Sequence, residues 1–327
     1  IFLSFFQIKL ILKILLNILT KLHKFSHHFF SLTQKFLLNK IEMMISIPFN
    51  PMMFNIGPFA MSWHGFWSFV GILVAVYLVV RWSKRDGINT DIAYDVALWG
   101  ILGGIIGARL MHVFDNLGYY LEYPSKIIMV WSGGIGFLGG MIGGILVGGL
   151  YAKYMNYPVG KIADYAAPAM AIAHIIGRIG DIWNGEHLSI PTSLPWGWVF
   201  THPDSPGRKG AERLFNDPNI AVHPVVVYEM IWNAFIVLFL FKSRDKFNFD
   251  GSLWIIYMFL YSIGRFILQF MRMDDVKFTI LGLDIQEAHI VTFALFIVST
   301  ILMIIFVRPR NYVQEDSTEN KALSGRR

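Results

Sequence analysis

The 327-residue chain contains no cysteine. Structural disulfides, thiolate catalysis and lipid attachment to a cysteine of the chain itself are therefore excluded, and any sulfur chemistry must use a substrate's thiol. Charge is also scarce. Only 15% of residues are Asp, Glu, Lys or Arg against 55% hydrophobic ones, a balance that excludes an ordinary soluble domain once the apolar runs prove long enough to span a bilayer. No glycine-rich phosphate loop follows a strand pattern and the histidines lack paired ligand spacing, so the sequence offers no cofactor site and no metal motif. The net charge of +6 comes partly from basic flanks of apolar segments. It speaks for anionic lipid and not for nucleic acid.

What is present is a series of apolar runs near 66–80, 93–113, 135–152, 165–183, 222–241, 252–271 and 288–307. Each is about the length a helix needs to cross a bilayer, which predicts an all-α polytopic membrane protein of seven transmembrane helices. Basic residues crowd the connections after the first, third, fifth and seventh runs: Arg81, Lys84 and Arg85, then Lys153 and Lys161, then Lys242, Arg244 and Lys246, then Arg308 and Arg310. Basic loops stay cytoplasmic, so the N-terminus is expected outside and the C-terminus in the cytoplasm. Residues 1–43 differ in composition, with Met43 and Met44 offering natural starts. They are expected to be a non-native or disordered extension; a basic amphipathic anchor is the alternative. The membrane domain is expected over 44–308, with a loop at 187–221 on the outer, periplasmic side, followed by a cytoplasmic tail at 309–327. That loop is either a lid or docking surface for a second substrate, or merely solvated.

The stretch HIIGRIGDIWNGE, from His174 to Glu186, carries the most unusual pattern. An ionisable group in hydrocarbon costs roughly 2.5–3.5 kcal/mol on insertion scales and normally faces a bundle interior with a partner. Arg178, Asp181 and Asn184 recur every third residue, so they share one helix face, and Glu186 follows where Gly185 should end the helix. Counting residues along the spans places Arg109, Arg178 and Arg265 about 20 Å up a core of about 30 Å, all in the outer leaflet. His64, His223 and Glu229 fall at the same level. Guanidinium groups bind phosphate or carboxylate through paired hydrogen bonds, so the cluster points to an anionic ligand, a phospholipid headgroup in particular. Asp181, Glu186 and Glu229 could instead neutralise the arginines in a purely structural ion network. Glycines at 100, 103, 104 and 107, and again at 136, 139, 140, 143 and 144, are expected to let two helices pack closely.

These residues bear a resemblance. GRIGDIWNGE at 177–186, SGGIGFLGGMIGG at 132–144, HPVVVYE at 223–229, YSIGRFILQFMR at 261–272 and NIGPFAMSWHGFW at 55–67 resemble, in matching order, the bacterial prolipoprotein diacylglyceryl transferase family. The resemblance implies an enzyme of the bacterial inner membrane, multi-pass, with its active site toward the outer leaflet. It would move the diacylglyceryl group of phosphatidylglycerol onto the lipobox cysteine of a preprolipoprotein signal peptide, releasing glycerol phosphate and needing no cofactor. By position it implies catalytic roles for Arg178, Arg265 and Glu186. Phosphatidylglycerol would be bound by Arg178, Arg265, Arg109, Asn184, Asp181, His64 and Tyr261. The alternative is a non-catalytic protein of the same fold that binds or transports anionic phospholipid.

The chain also departs from the pattern. Leu138 stands where many members carry a histidine in the glycine string, Asp181 where Asn is usual, His64 where Tyr is common, and Gln269 where an acid often follows the sixth-span arginine. His64, His112 and His174 are candidates for the missing base. A free thiol is already a few per cent thiolate at neutral pH, so a dedicated base is not obligatory.

Overall fold

The computed structural model describes residues 44–57, 59–130, 134, 136–273, 278–280 and 283–309. The extension expected over 1–43 lies outside the described residues, as does the expected tail beyond Pro309. Each of the seven apolar runs lies on a long helix: α1 (Trp63–Arg85), α2 (Thr90–Asp115), α4 (Phe137–Tyr154), α5 (Val159–Asn184), α7 (Val225–Ser243), α8 (Ser252–Gln269) and α9 (Glu287–Phe306). α1, α2, α7, α8 and α9 are long and apolar enough to cross a membrane. α5 carries Lys161, Asp164, Arg178 and Asp181, the charges that set it apart. Helices are the form a chain takes in lipid because all their backbone hydrogen bonds close within the segment.

The expectation of an all-α chain is corrected in detail. Three two-stranded ribbons join the helices: β1 (Ile45–Ile47) parallel to β4 (Trp198–Phe200), β2 (Met52–Ile56) antiparallel to β3 (Phe59–Ser62), and β5 (Phe278–Ile280) antiparallel to β6 (Leu283–Ile285). They lie in connecting segments, where backbone groups not held in a helix find partners across strands.

Glycine sets the closest helix pair. α2 and α4 pack face to face through Gly103 and Gly107 on one side and Gly139 and Gly143 on the other. A methyl group added at Gly107 would collide with the carbonyl oxygen of Gly139. The same small-residue logic crosses α1 over α5, where a Cβ at Gly180 would sit 2.8 Å from His64 Cα. A second core joins α5, α7 and α8 through Ala167, Ala171, Ile236, Leu240, Leu253, Ile256 and Tyr257. At the basic end of these helices, the Asp164 carboxylate accepts from the backbone N–H groups of Gly251 (2.8 Å), Leu253 (2.8 Å) and Trp254 (3.2 Å). It caps α8 from a neighbouring helix and satisfies donors that have no intrahelical partner.

The segment 187–221 is no bare loop. Leu188, Trp198, Phe200 and Ala211 bury against Ile47, Val222, Val225 and Val226 in a core of their own. Its short helix α6 (Pro206–Phe215) starts at Ser205, whose hydroxyl accepts from Arg208 N and donates to Gly185 O (3.0 Å). A further bond from Gly207 N to Gly185 O (2.8 Å) ties α6 to the end of α5. The reading of this segment as merely solvated is therefore overturned by its packed interior.

Candidate functional site

α5 ends as its sequence predicts. Gly185 takes the left-handed conformation (φ 63°) and Glu186 N bonds back to Asp181 O at 3.1 Å. This stop places Arg178, Asp181 and Asn184 in the last turns of α5 with Glu186 and His187 just beyond. The first turn of α1 brings His64, the second turn of α7 brings Glu229 and the penultimate turn of α8 brings Arg265 to the same end of the bundle.

A chain of ion pairs joins them. Asp181 lies 1% exposed between His64 (Nδ1 to Oδ1, 2.5 Å) and Arg178 (Nη1 to Oδ2, 2.5 Å), with His187 Nε2 3.3 Å from Oδ2. Arg178 reaches with its other nitrogen to Glu229 Oε2 at 2.5 Å, and Arg265 Nη1 meets Glu229 Oε1 at 2.5 Å. Arg272 approaches the same oxygen at 3.4 Å. Glu229 is thus a buried carboxylate that ties three guanidinium groups from α5, α8 and the turn after α8. In this cluster three arginines face two buried carboxylates, Asp181 and Glu229, leaving one positive charge in excess before the part-open Glu186 is counted.

Exposure separates the arginines by role. Arg178 and Arg265 keep 20% and 15% of their side chains open, whereas Arg272 keeps 4%. The first two can meet a ligand; Arg272 is enclosed. Its Nη2 donates to His187 Nδ1. Because arginine has only donors, His187 must accept at Nδ1 and carry its proton on Nε2, toward Asp181. Burial agrees, holding the His187 imidazole below its ordinary range against the opposing pull of Asp181. Asn184 Nδ2 donates to Glu186 Oε1, and the Asn184 carbonyl oxygen is buried without a hydrogen-bond partner among the described residues.

Other expected site residues stand differently. Arg109 is 5% exposed and binds backbone: Nε to Ile127 O (2.8 Å), Nη1 to Gly134 O (2.7 Å) and Nη2 to Lys126 O (2.5 Å), with its guanidinium over the Tyr120 ring. These bonds tie α2 to the segment between α2 and α4. Tyr261 packs its ring 5.1 Å from that of His174, and the His174 Nδ1 lies 3.2 Å from the Tyr257 hydroxyl. Gln269 is fully buried and donates to Gln286 at the start of α9, whose own amide donates to Arg272 O (3.0 Å). The side chain of Leu138 lies outside the described residues.

Sequence reasoning missed Arg272 and His187 as members of the site. Arg272 follows Arg265 by seven residues but lies past the end of α8 at Gln269, where no helix period places it. Missed too was an apolar groove of about 270 Å³ between α7 and α8, lined by Tyr228, Ile231, Trp232, Phe235, Gly264 and Ile267. Its lining includes Tyr228 and Gly264, the sequence neighbours of Glu229 and Arg265.

An arginine pair held by one buried carboxylate, in a membrane-type bundle that also carries an apolar groove between α7 and α8, suits an anion with hydrocarbon chains. Residues 51–305 match the family model described as prolipoprotein diacylglyceryl transferase. The phosphatidylglycerol–prolipoprotein diacylglyceryl transferase of Bacillus velezensis is 31% identical over 279 residues, 82% of this chain and 96% of that protein. The protein of that name from Staphylococcus aureus strain Newman is 32% identical over 267 residues, 78% and 88% of the two chains. That from Trichormus variabilis is 30% identical over 233 residues, 69% and 80%. With a match running from before α1 almost to the end of α9, the chain belongs to the prolipoprotein diacylglyceryl transferase family.

Proposed function

We propose that this protein transfers the diacylglyceryl group of phosphatidylglycerol to the thiol of a prolipoprotein's lipobox cysteine, forming a thioether and releasing glycerol phosphate. The observation that carries this reading is the Arg178–Glu229–Arg265 bridge, with both guanidinium groups part-open, in a bundle that also carries an apolar groove between α7 and α8. The phosphate docks between Arg178 and Arg265, and an acyl chain lies in the groove between α7 and α8. Attack of the thiol sulfur on the glycerol carbon that bears the phosphate forms the C–S bond as the C–O bond breaks. The electron pair leaves on phosphate oxygen, where the two arginines meet the growing charge without having to reorganise, in a site short of water. Glu186, with Asn184 donating to it, faces the lipid's free hydroxyls or an arginine. Asp181, His64 and Tyr261 complete the wall, and Arg109 acts at a distance by holding the entry to α4.

The bundle crosses the bacterial inner membrane seven times, N-terminus outside and C-terminus cytoplasmic, and the site opens to the outer leaflet. Support comes from the basic residues gathered at the opposite end, where Arg244 pairs with Asp86 at 2.5 Å. The packed segment 187–221 sits over the site and receives the signal peptide. As a working division, 44–308 is the membrane transferase domain.

The test uses purified protein, phosphatidylglycerol vesicles and a synthetic lipobox peptide with one cysteine, read by mass spectrometry. Diacylglyceryl addition is expected, and it should vanish when the peptide cysteine is replaced by serine. Binding of phosphatidylglycerol without any addition would refute the transfer reaction and leave a non-catalytic lipid binder.

A further inference from the structure

The proposed transfer leaves one question open at the level of atoms: what takes the proton of the incoming thiol. We infer that His64 does so through Nε2, with Asp181 as the group that positions it; this rests on the transfer reaction proposed above. The local build begins with packing. Gly180 lets α5 approach the first turn of α1 so closely that its Cα faces the His64 backbone. Ser62 fixes that turn by accepting from Gly65 N at 3.1 Å, and Trp63 packs on Trp183 with ring centres 4.6 Å apart. These contacts fix the backbone from which the His64 ring projects. One residue after Gly180, Asp181 meets it at 2.5 Å.

The proton assignment follows from the partners. An Asp181 carboxylate flanked by Arg178 and His187 can only accept, so His64 carries its hydrogen on Nδ1, and its neutral form presents a lone pair at Nε2. No described residue bonds Nε2, and 45% of the side chain is exposed, whereas His174 is packed among tyrosines. A carboxylate that fixes the tautomer and steadies the imidazolium while the far nitrogen receives a proton is the arrangement used to activate nucleophiles elsewhere. Asp181 also ties the two halves of the reaction together. Its Oδ1 holds His64 and its Oδ2 holds Arg178, so the thiol and the phosphate are presented on two sides of one carboxylate.

The step balances. The S–H bond breaks, its proton goes to Nε2 and the thiolate forms the C–S bond. The C–O bond breaks toward phosphate, and the imidazolium passes its proton to the released phosphate monoester or to water. The charged groups that face His64 are Asp181 and Arg178 on α5, Glu186 Oε2 at 3.7 Å, and His187, which shares Asp181.

The experiment measures kcat/KM for the lipobox peptide against pH, in phosphatidylglycerol vesicles, for the unaltered protein, His64→Gln and His64→Ala. With His64 as acceptor, the unaltered protein reaches a plateau below the thiol's own ionisation near pH ~8.5. His64→Gln then falls about 10²-fold at neutral pH and comes within about threefold of the unaltered protein near pH ~9.5, where the peptide is already thiolate. Added imidazole raises the rate of His64→Ala at neutral pH. An unaltered protein whose rate climbs about tenfold per pH unit up to the thiol pKa overturns the assignment without any variant. So does a His64→Gln profile that matches the unaltered one, or one uniformly lowered without imidazole rescue, which marks a binding role. Absence of transfer by the unaltered protein at every pH would instead refute the reaction itself.

Discussion

Glu229 is the residue on which the site's electrostatics turn. It is 4% exposed and lies within 2.5 Å of Arg178 and of Arg265, with Arg272 at 3.4 Å. Removing one partner of a buried ion cluster leaves like charges unmatched, typically a loss of about 3–5 kcal/mol. Glu229→Gln is therefore expected to lower the thermal midpoint in detergent sharply, and an unchanged midpoint would show that the arginines do not depend on it. Arg178→Ala should behave in the opposite way. Without Arg178, Asp181 keeps His64 and His187, and Glu229 keeps Arg265 and Arg272, so the fold survives. Transfer should drop about 10²–10³-fold, the usual effect of losing one donor aimed at developing charge. Full transfer by that variant, measured by the mass-spectrometric assay, would remove the phosphate clamp from the mechanism. Sequence spacing made Arg178, Asp181 and Asn184 legible as one face because they sit on one helix. It could not show that Glu229 bridges two arginines, since a bridge between α5, α7 and α8 depends on tertiary packing that no local period records. Arg272 and His187 were hidden for a further reason: each sits just past a helix end, where sequence reads as loop.

Among the elements, the α2–α4 pair shows how far small residues alone can set a geometry. With Gly103 and Gly107 against Gly139 and Gly143, the two backbones touch, and a side chain at any of these positions meets main chain that cannot move aside. Gly143→Val should force the pair apart. Overpacking of this kind costs about 1–3 kcal/mol or more, visible as a lower thermal midpoint. Gly118→Ala is the matched control, because a Cβ there meets nothing within 4 Å, and its midpoint should stay put. Equal effects of the two substitutions would mean that the glycine face is not the contact that matters. This interface was readable beforehand, since glycines three and four apart fall on one helix face. The same reading failed for 187–221, rich in Pro, Gly and charge, because its apolar residues Leu188, Trp198, Phe200 and Ala211 are too far apart in sequence to reveal a period. Their burial depends on β1 and the start of α7, which come from elsewhere in the chain.

At the scale of the whole molecule, the two ends of the bundle differ in kind. One end gathers Arg178, Arg265, His64 and Glu229 under the packed segment 187–221. The other holds Arg85, Asp86, Tyr165 and Arg244, with Tyr165 donating to Asp86 at 2.8 Å and Arg244 pairing with it at 2.5 Å. Basic residues crowd the second end, so it should face the cytoplasm. A chain without cysteine makes this directly measurable. Lys84→Cys labels the basic end, and Asp204→Cys the cap, where Asp204 is 67% exposed and, among the described residues, its side chain pairs with the open Lys209. Exposed pairs of this kind contribute about 0.2–1 kcal/mol at most, so the substitution should leave the fold intact. In intact cells stripped of any outer permeability barrier, a membrane-impermeant maleimide should label Asp204→Cys at once and Lys84→Cys only after the membrane that holds the protein is opened. The orientation matters because it decides which substrates can meet. A preprotein cysteine arriving from the outer side reaches His64 and the arginines only if the cap end is outside. The reverse labelling order would turn the site toward the cytoplasm, so that phosphatidylglycerol would have to be drawn from the inner leaflet and the thiol modified before the signal peptide crossed the membrane.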